Sequence, residues 1–360
     1  MGYVAVKGGQ EAIENAFRFF RYNQIRQGSE PIQVEQIRDQ LHLLIDRIMS
    51  EGSLYAPDLA ALAVKQAAGD TLEASFILRA YRTTLPRLGY SLPLDTARMR
   101  VIRRISAAFQ DIPGGQILGP TPDYTLRLLN FDLINEDSQT YQEHIADLFQ
   151  DLPEYDELPQ TFPKVMEILR RDNLLIGRNA QVVGSTKSFD ITRESITFPA
   201  PRSAALQAMA MGETGGLLAL AYSNMRGYGM VHPTVGELRV GYLEVNVKNP
   251  YTQQPEKIGE IEVTEAEIIS QAKHKDGNRP QFTLGYGLCF GHNETKAISM
   301  AVLDRAMQSE EPQSPSEDQE FVLLHIDGIE SMGFCNHYKL PHYVTFQSQL
   351  DRLRKAQEKA

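Results

Sequence analysis

The spacing of apolar residues changes type along the chain, and this change constrains the fold more than any other feature. The first ninety residues place apolar side chains at helical spacing, whereas the second half contains short β-branched and aromatic segments typical of strands. We therefore predict an α+β fold, in which a helical N-terminal region is followed by a mixed β-sheet with packed helices. The helical repeats include Leu41, Leu44, Ile45, Ile48 and Leu59, Leu62, Ala63, Ala67, and the strand segments are 238–247, 258–263 and 282–290.

Local composition predicts further elements. Glycine and proline crowd residues 113–122, which indicates a structured loop. Residues 309–320 have no apolar residue apart from two prolines, which favours a flexible acidic loop. Residues 135–159 are acidic and poorly periodic, so we interpret them as a solvated connection. The remaining predictions are strands at 99–106 and 321–325, the second holding His325, and helices at 295–307 and 346–359.

These patterns divide the chain into three regions. Residues 1–134 form a mainly helical N-terminal region with the Gly/Pro loop. Residues 135–187 are a variable acidic connection and helix. Residues 188–360 are an α+β region that carries two Gly-Tyr-Gly motifs and a His-x4-His loop.

Composition narrows the kinds of partner that the chain can have. The 46 acidic residues outnumber the 36 basic ones, and a net charge of −10 argues against bulk attraction to nucleic acid or anionic lipid. The longest apolar run, 217–222, is too short to cross a bilayer, and the N-terminus lacks a signal-peptide layout. Two cysteines suit a reducing compartment. We expect a cytoplasmic protein that binds neither nucleic acid nor membrane.

A segment near the C-terminus concentrates metal-ligand atoms: Cys335, His337 and His342. The five-residue gap between the histidines does not fit one helix face, and Pro341 disfavours helical geometry before it, so we predict a bent or extended loop. In such a loop two neutral imidazoles can converge and form half of a tetrahedral zinc site. The alternative is that both are ordinary core or interface histidines and that Cys335 is a small apolar residue.

The chain contains Gly-Tyr-Gly twice, each time followed by a histidine. We predict that the second copy runs from a strand through a glycine turn into a helix. Gly285, Gly287 and Gly291 would let backbone N–H groups approach an anion at the helix N-terminus. Lys296 would lie in the first turn. The alternative is that the glycines only form the connection from strand to helix and bind no ligand. The spacing matches neither a Walker A loop nor the dinucleotide fingerprint.

Two charged clusters could bind phosphate. The first places two cations, an imidazole and a carboxylate within fourteen residues. These groups could bind phosphate and stabilise developing charge. The alternative is a salt-bridged surface hairpin. The second is rich in arginine, whose guanidinium group binds phosphate in a bidentate manner. The first cluster is Arg226, His232, Glu237 and Arg239, and the second is Arg103, Arg104, Asp123 and Arg127.

Several long, ordered strings are specific enough to indicate a family. They lie at 3–9, 78–85, 111–121, 190–193, 217–222, 226–242, 285–291 and 339–343. Together they resemble the I subunit of the bacterial carbon-phosphorus lyase core complex. The resemblance spans nearly the full length, and it is weakest at about 135–187 and across the acidic loop.

This resemblance implies a subunit of a phosphonate-degrading assembly. Two I subunits would form its centre, with G, H and J subunits around them and L and K as accessory subunits. The I subunit would displace the purine of ATP or GTP with methylphosphonate, giving alpha-D-ribose 1-methylphosphonate 5-triphosphate plus adenine. With water in place of the phosphonate, it would act as a purine nucleotide nucleosidase. Carbon-phosphorus cleavage would belong to the J subunit.

The resemblance also assigns His337 and His342 as zinc ligands beside the J subunit. Loss of a purine passes through an oxocarbenium-like state that a carboxylate can stabilise while an acid protonates the base. The hypothesis gives the carboxylate role to Glu237 or Asp123, the acid role to His232, and triphosphate binding to Arg226, Arg239 and Lys296 with the three glycines of the second Gly-Tyr-Gly copy.

Two alternatives to this enzyme are a non-catalytic scaffold that supplies zinc ligands and binding surface to a catalytic partner, and a self-contained zinc hydrolase. The absence of an HExxH helix argues against the hydrolase.

Overall fold

A computed structural model describes residues 9–150, 162–176, 188–228, 232–271 and 280–359. The predicted α+β class is confirmed. The helices are α1 (Gly9–Ile25), α2 (Val34–Gln40), α3 (His42–Gly52), α4 (Pro57–Gln66), α5 (Thr71–Thr84), α6 (Ser138–Gln150), α7 (Met166–Arg171), α8 (Arg202–Met211), α9 (Thr214–Ser223), α10 (Glu294–Ala306), α11 (Gln319–His325), α12 (Gly328–Asn336) and α13 (Tyr343–Gln357). The strands are β1 (Arg100–Ile105), β2 (Thr234–Lys248), β3 (Pro255–Gln271) and β4 (Phe282–Phe290).

Helices α2 to α5 form a separate apolar core that contains Ile48 and Leu78. Local chemistry fixes their ends. Pro57 is the first residue of α4, a position at which a backbone N–H would have no intrahelical acceptor, so proline removes no hydrogen bond. The Asp70 carboxylate accepts a hydrogen bond from the Glu73 N–H at 3.0 Å and so caps α5. By contrast, α1 contains no buried residue.

The strands form a four-stranded sheet in the order β1-β2-β3-β4. Each neighbouring pair of these strands is antiparallel, so the sheet is antiparallel and not mixed as predicted. Arg104 of β1 lies opposite Arg239 of β2, and Arg239 lies opposite Glu265 of β3. Because side chains alternate along a strand, this register puts Arg104, Arg239 and Glu265 on one face, and Leu238 and Ala266 on the other.

The apolar face of the sheet packs against α10. Leu238, Ala266 and Cys289 contribute to the core between them. The second face is charged yet buried, because residues before and within α7 cover it. Its buried side chains include Arg104, Glu237, Arg239, Glu265 and Glu267, and the partly exposed Lys164 of the covering segment lies 2.7 Å from Glu265.

Two sequence predictions fail in the C-terminal segment. Residues 319–325 form helix α11 and not a strand, because Asp318 caps its start by accepting the Phe321 N–H at 3.0 Å. The acidic loop before it is packed: Ser316 is buried and its hydroxyl accepts a hydrogen bond from Asn224 Nδ2 at 3.0 Å. The region predicted as an acidic connection and helix contains α6, and residues 135–143 are exposed; residues 151–159 lie outside the described residues.

Other local predictions are confirmed. Strand β4 spans the predicted residues, β1 lies within 99–106, and α10 begins one residue before the predicted start. Among the residues that the structure describes, no helix is both long enough and apolar enough to span a bilayer.

Candidate active site

A cavity of about 490 Å³ lies at the N-terminus of α10. The start of α3, the chain after the Gly/Pro loop, the start of α9 and the β4–α10 turn all contribute to its wall. Polar and charged residues give it a mixed character. They include Asp123, Arg127, Thr214, His292, Glu294 and Thr295.

The buried Arg103 holds two carboxylates at this cavity. Its Nη2 lies 2.5 Å from Asp123 Oδ2, and its Nε lies 2.6 Å from Glu294 Oε1. The Arg103 side chain is fully buried, whereas both carboxylates are partly exposed. One guanidinium group therefore fixes an acidic pair on the cavity wall, and Arg127 adds a second contact to Asp123 at 3.2 Å.

The Gly/Pro loop reaches this position by pairing with β1. The Arg104 N–H donates to the Ile117 carbonyl at 2.7 Å, and the Ile117 N–H donates to the Arg104 carbonyl, also at 2.7 Å. Gly119 follows with a φ of 64°, and a Cβ there would lie 2.7 Å from the Ile102 carbonyl oxygen. Glycine is required for this close approach, which carries Asp123 to the Arg103 guanidinium.

His292 forms a pair with Glu294 on the same wall, with 2.8 Å between His292 Nε2 and Glu294 Oε1. The hydrogen bond to Glu294 raises the pKa of His292 above its ordinary value, and the carboxylates of Glu262 and Asp46 act in the same direction. Burial disfavours the charged form of Glu294, but the hydrogen bond from His292 and the charge of Arg103 outweigh it and lower that pKa. The pair is therefore polarised towards imidazolium and carboxylate.

The turn from β4 into α10 is fixed from several sides. Gly291 adopts a φ of 68°, and the His292 N–H donates to Asp46 Oδ2 at 3.0 Å. The Asn293 N–H donates to Thr264 Oγ1 at 2.8 Å. The first N–H groups of a helix lack intrahelical partners and carry partial positive charge, and at α10 they border the cavity.

The structure brings only some of the predicted site residues to this cavity. Asp123 lines it, and so does Lys296. However, the Lys296 ammonium is buried, where it donates to Ser50 Oγ and the Ala210 carbonyl, both at 2.7 Å. Burial lowers the pKa of Lys296 to about 8. This lysine therefore ties α10 to α3 and α8, and its hydrogen bonds are directed into the core.

Glu237 and Arg239 lie on the charged face of the sheet and do not line the cavity. The Glu237 carboxylate accepts from Arg104 Nε at 2.7 Å and from the Val165 N–H at 3.0 Å. Arg239 is paired with Glu265. Both predicted residues are thus occupied in buried ion pairs.

Arg226 and His232 are exposed and also lie outside the cavity lining. Arg226 belongs to a short π-helical turn, Asn224–Tyr228. Residues 229–231 of the first Gly-Tyr-Gly copy lie outside the described residues, as do residues 3–8 of the N-terminal string. The predicted cluster of Arg226, His232, Glu237 and Arg239 is therefore not gathered into one site.

The three glycines of the second copy have separate local roles. A Cβ at Gly285 would lie 2.0 Å from the Ala301 carbonyl oxygen, and one at Gly287 would lie 2.1 Å from that of Ala297. These two glycines let α10 pack closely on β4. Gly291 forms the turn described above and is the one that adjoins the helix N-terminus.

The paired histidines near the C-terminus lie close together, as predicted. His337 begins a 3-10 turn after α12, and His342 immediately precedes α13. Their ring centroids are 5.5 Å apart. Nδ1 of His337 contacts the Phe334 carbonyl, and Nδ1 of His342 contacts the Leu340 carbonyl at 2.6 Å.

Because a carbonyl can only accept, each Nδ1 carries the hydrogen, and in the neutral imidazole Nε2 then keeps a lone pair for a ligand. Cys335 is exposed. Within the part of the chain that the structure describes, no group of three or more His, Cys, Asp or Glu residues is arranged to hold a metal ion.

Comparison with known proteins identifies the family. The family model described as "Bacterial phosphonate metabolism protein (PhnI)" matches residues 2–360. The chain belongs to the PhnI family. The resemblance inferred from the sequence strings is thereby confirmed.

Relatives of this PhnI-family chain align along nearly its whole length. "Putative C-P lyase subunit protein HtxH" of Stutzerimonas stutzeri is 55% identical, covering 100% of this chain and 97% of the relative. Proteins of Rhizobium meliloti (strain 1021) and Escherichia coli (strain K12) are both named "Alpha-D-ribose 1-methylphosphonate 5-triphosphate synthase subunit PhnI". The first is 48% identical, over 98% of this chain and 94% of its own length. The second is 45% identical, over 99% of this chain and 98% of its own length.

Sequence reasoning assigned no role to His292 or Glu294 and did not see that Arg103 joins Glu294 to Asp123. A signal for His292 was present, because it is the histidine that follows the second Gly-Tyr-Gly of this PhnI-family chain. Both copies carry such a histidine, and only the folded chain distinguishes them: His292 lines the cavity and His232 does not.

Proposed function

We propose that this chain is a subunit of alpha-D-ribose 1-methylphosphonate 5-triphosphate synthase and that the cavity at α10 is where the purine of ATP or GTP is displaced. The observation that carries the proposal is the similarity, 48% and 45% identity along nearly the full length, to two proteins that bear this name. The cavity supports it by combining an acidic pair, an imidazole and a helix N-terminus.

The proposed reaction replaces one bond at the anomeric carbon with another. A methylphosphonate oxygen forms a bond to C1′ while the C1′–N9 bond breaks and its electron pair stays on the purine. Positive charge develops on the ribose, and the Asp123 carboxylate stabilises it. Arg127 and the N–H groups at the start of α10 bind the triphosphate. With water as the nucleophile, the same site acts as a purine nucleotide nucleosidase.

Asp123→Asn should lower purine displacement by about 100-fold, because it removes the charge that faces the oxocarbenium-like state. The amide is nearly the same size as the carboxylate, and Arg103 keeps its contact with Glu294. The measurement is the initial rate of adenine release from ATP by the chain assembled with its partner subunits. Asp172→Asn is the matched control, since Asp172 is exposed and outside the cavity lining.

Two outcomes would contradict this proposal at different levels. Equal rates for Asp123→Asn and the control would remove Asp123 from the mechanism. If the unaltered chain with all its partners released no adenine, the scaffold function would be favoured instead.

We further propose that His337 and His342 hold a zinc ion together with ligands from a partner, the J subunit. Two imidazoles on one tetrahedral zinc ion, with bonds of about 2.0–2.1 Å, have ring centroids roughly 5 Å apart. The observed separation of 5.5 Å and the free Nε2 atoms fit this requirement. A zinc ion there would polarise a phosphoryl or phosphonyl oxygen.

Replacing both His337 and His342 with alanine should abolish zinc retention at this position in the assembled complex. Adenine release should change little, because neither histidine lines the cavity at α10. Zinc content per complex, measured by elemental analysis after gel filtration, tests the first point. His325→Ala serves as the control for loss of an exposed histidine, and zinc that persists in the double variant would show that the site lies elsewhere.

Exposed apolar surface supports function within an assembly. Helix α1 has no buried residue and exposes Phe17, Phe19 and Phe20. Residues 126–134 expose a second group of large apolar side chains. Extended apolar surface of this kind marks sites of association between proteins. We assign these surfaces to contacts with the G, H and J subunits, a second copy of this chain and the accessory K and L subunits.

A further inference from the structure

Purine displacement requires a proton as well as a stabilising carboxylate. The purine leaves with the electron pair of the C1′–N9 bond, and an acid that protonates its N7 makes it a far better leaving group. The roles proposed above use Asp123 and the triphosphate contacts, and none of them supplies this proton. A donor must therefore come from another group on the cavity wall.

We infer that His292, held by Glu294, is the general acid that protonates the departing purine. This inference rests on the proposed function and assigns its missing proton donor. His292 lines the same cavity as Asp123, so both can face one bound nucleotide. His232, the acid suggested by sequence, lies outside that lining.

The orientation of His292 is set before any ligand binds. Its Nε2 is bonded to Glu294, and Glu294 is anchored in turn by the buried Arg103. Its backbone N–H is held by Asp46, next to the left-handed turn at Gly291. No described residue forms a hydrogen bond with Nδ1, so this ring nitrogen is the one available to a base in the cavity. Such rigid support is what a proton donor needs.

The surrounding charges favour the protonated imidazole. Carboxylates face His292 from three elements: Asp46 on α3, Glu262 on β3 and Glu294 on α10. Burial raises the pKa of both Asp46 and Glu262. These two carboxylates are therefore less fully charged, and their effect on the pKa of His292 is smaller. The cation Arg103 is shared between Glu294 and Asp123. The hydrogen bond to Glu294 is the largest contribution to the raised pKa of His292.

The proton balance of the step is complete. The Nδ1–H proton of the imidazolium passes to purine N7 as the C1′–N9 bond breaks, and the phosphonate or water oxygen bonds to C1′. His292 is left neutral with its Nε2–H still on Glu294. It regains a proton from solvent before the next turnover. A water nucleophile releases its own proton to solvent.

A pair of substrates tests this role directly. ATP needs protonation of its leaving base, whereas N7-methyl-GTP carries a positive purine that departs as a neutral base without an added proton. In the assembled complex, His292→Gln should lower adenine release from ATP by about 100-fold. Release of 7-methylguanine by the same variant should stay within about threefold of the unaltered chain, since it needs no general acid. That retained activity would also show that the variant is folded.

The pH dependence supplies an independent readout. A general acid works only when protonated, so kcat/KM for ATP should fall as pH rises through the pKa of His292. This fall should be absent with N7-methyl-GTP. Glu294→Gln removes the largest contribution that raises the pKa of His292, so the fall should move to lower pH. The glutamine is nearly the same size and keeps a hydrogen-bonding group beside the imidazole.

Three results would overturn the inference. Equal loss with both substrates in His292→Gln would mean that the side chain only maintains the cavity. No loss with either substrate, or a selective loss in His232→Gln instead, would place the acid elsewhere. A failure of the proposed function looks different, because the unaltered complex would then release neither base.

Discussion

Arg104→Met should lower the free energy of unfolding by about 3–5 kcal/mol, because the Glu237 carboxylate would remain buried without its cation. Both side chains of this ion pair are at most 2% exposed, and Nε lies 2.7 Å from Oε1. Arg104 also donates to the carbonyls of Pro113 and Pro163, each at 2.7 Å. It thus ties β1 to the Gly/Pro loop and to the segment before α7. Since whole domains are stable by about 5–15 kcal/mol, this loss would leave little folded chain at elevated temperature.

Arg100→Met is the matched control on the same strand. Arg100 is 65% exposed and its Nη2 lies 3.0 Å from Glu260. Exposed pairs of this kind contribute about 0–1 kcal/mol, so the control should unfold close to the unaltered chain. Equilibrium urea denaturation, followed by circular dichroism, compares the two variants. If Arg104→Met unfolded within about 1 kcal/mol of Arg100→Met, the buried pair would contribute no more than a surface pair.

The Arg104–Glu237 pair also shows why the sequence did not predict where these charged residues lie. Glu237 is two residues before Arg239 and eleven after Arg226, so local clustering suggested one site. Its partner is 133 residues away, and the pairing depends on how β1 and β2 align. Strand alternation then places Glu237 and Arg239 together on a buried face. Local sequence reports neither the register nor what covers that face.

Elements governed by local chemistry were predictable, because their signals lie within a few residues. Strand β4 and helix α10 follow from β-branched and helical patterns, and the turn between them follows from Gly291. The acidic segment before α11 was not predictable in this way. Its composition is that of a solvated loop, but Ser316 and Glu317 are buried, and Ser316 accepts a hydrogen bond from the distant Asn224.

The candidate site was only partly predictable for a related reason. Asp123 and the start of α10 were singled out because carboxylates and helix N-termini have recognisable chemistry. Their juxtaposition is created by Arg103, which pairs with one residue in the Gly/Pro loop region and another on α10. The convergence of His337 and His342 was easier to predict, since the two residues are near in sequence and lie within one connection.

Gly285→Ala should lower the free energy of unfolding by about 3 kcal/mol, because the added methyl group has no room between β4 and α10. Its Cβ would lie 2.0 Å from the Ala301 carbonyl oxygen and 2.7 Å from Arg305 Cβ. The helix must move away from the strand, which opens the core around Cys289 and Met300.

Gly259→Ala on β3 is the control, since nothing lies within 4 Å of a Cβ there. Its free energy of unfolding should stay within about 1 kcal/mol of the unaltered chain. Urea denaturation measures both variants, and the KM for ATP in the assembled complex distinguishes the packing role from the phosphate-binding role suggested by sequence. A raised KM with unchanged stability would restore Gly285 to the triphosphate site. A loss of stability that appears in Gly285→Ala and not in Gly259→Ala would establish that Gly285 serves close packing of helix α10 on strand β4.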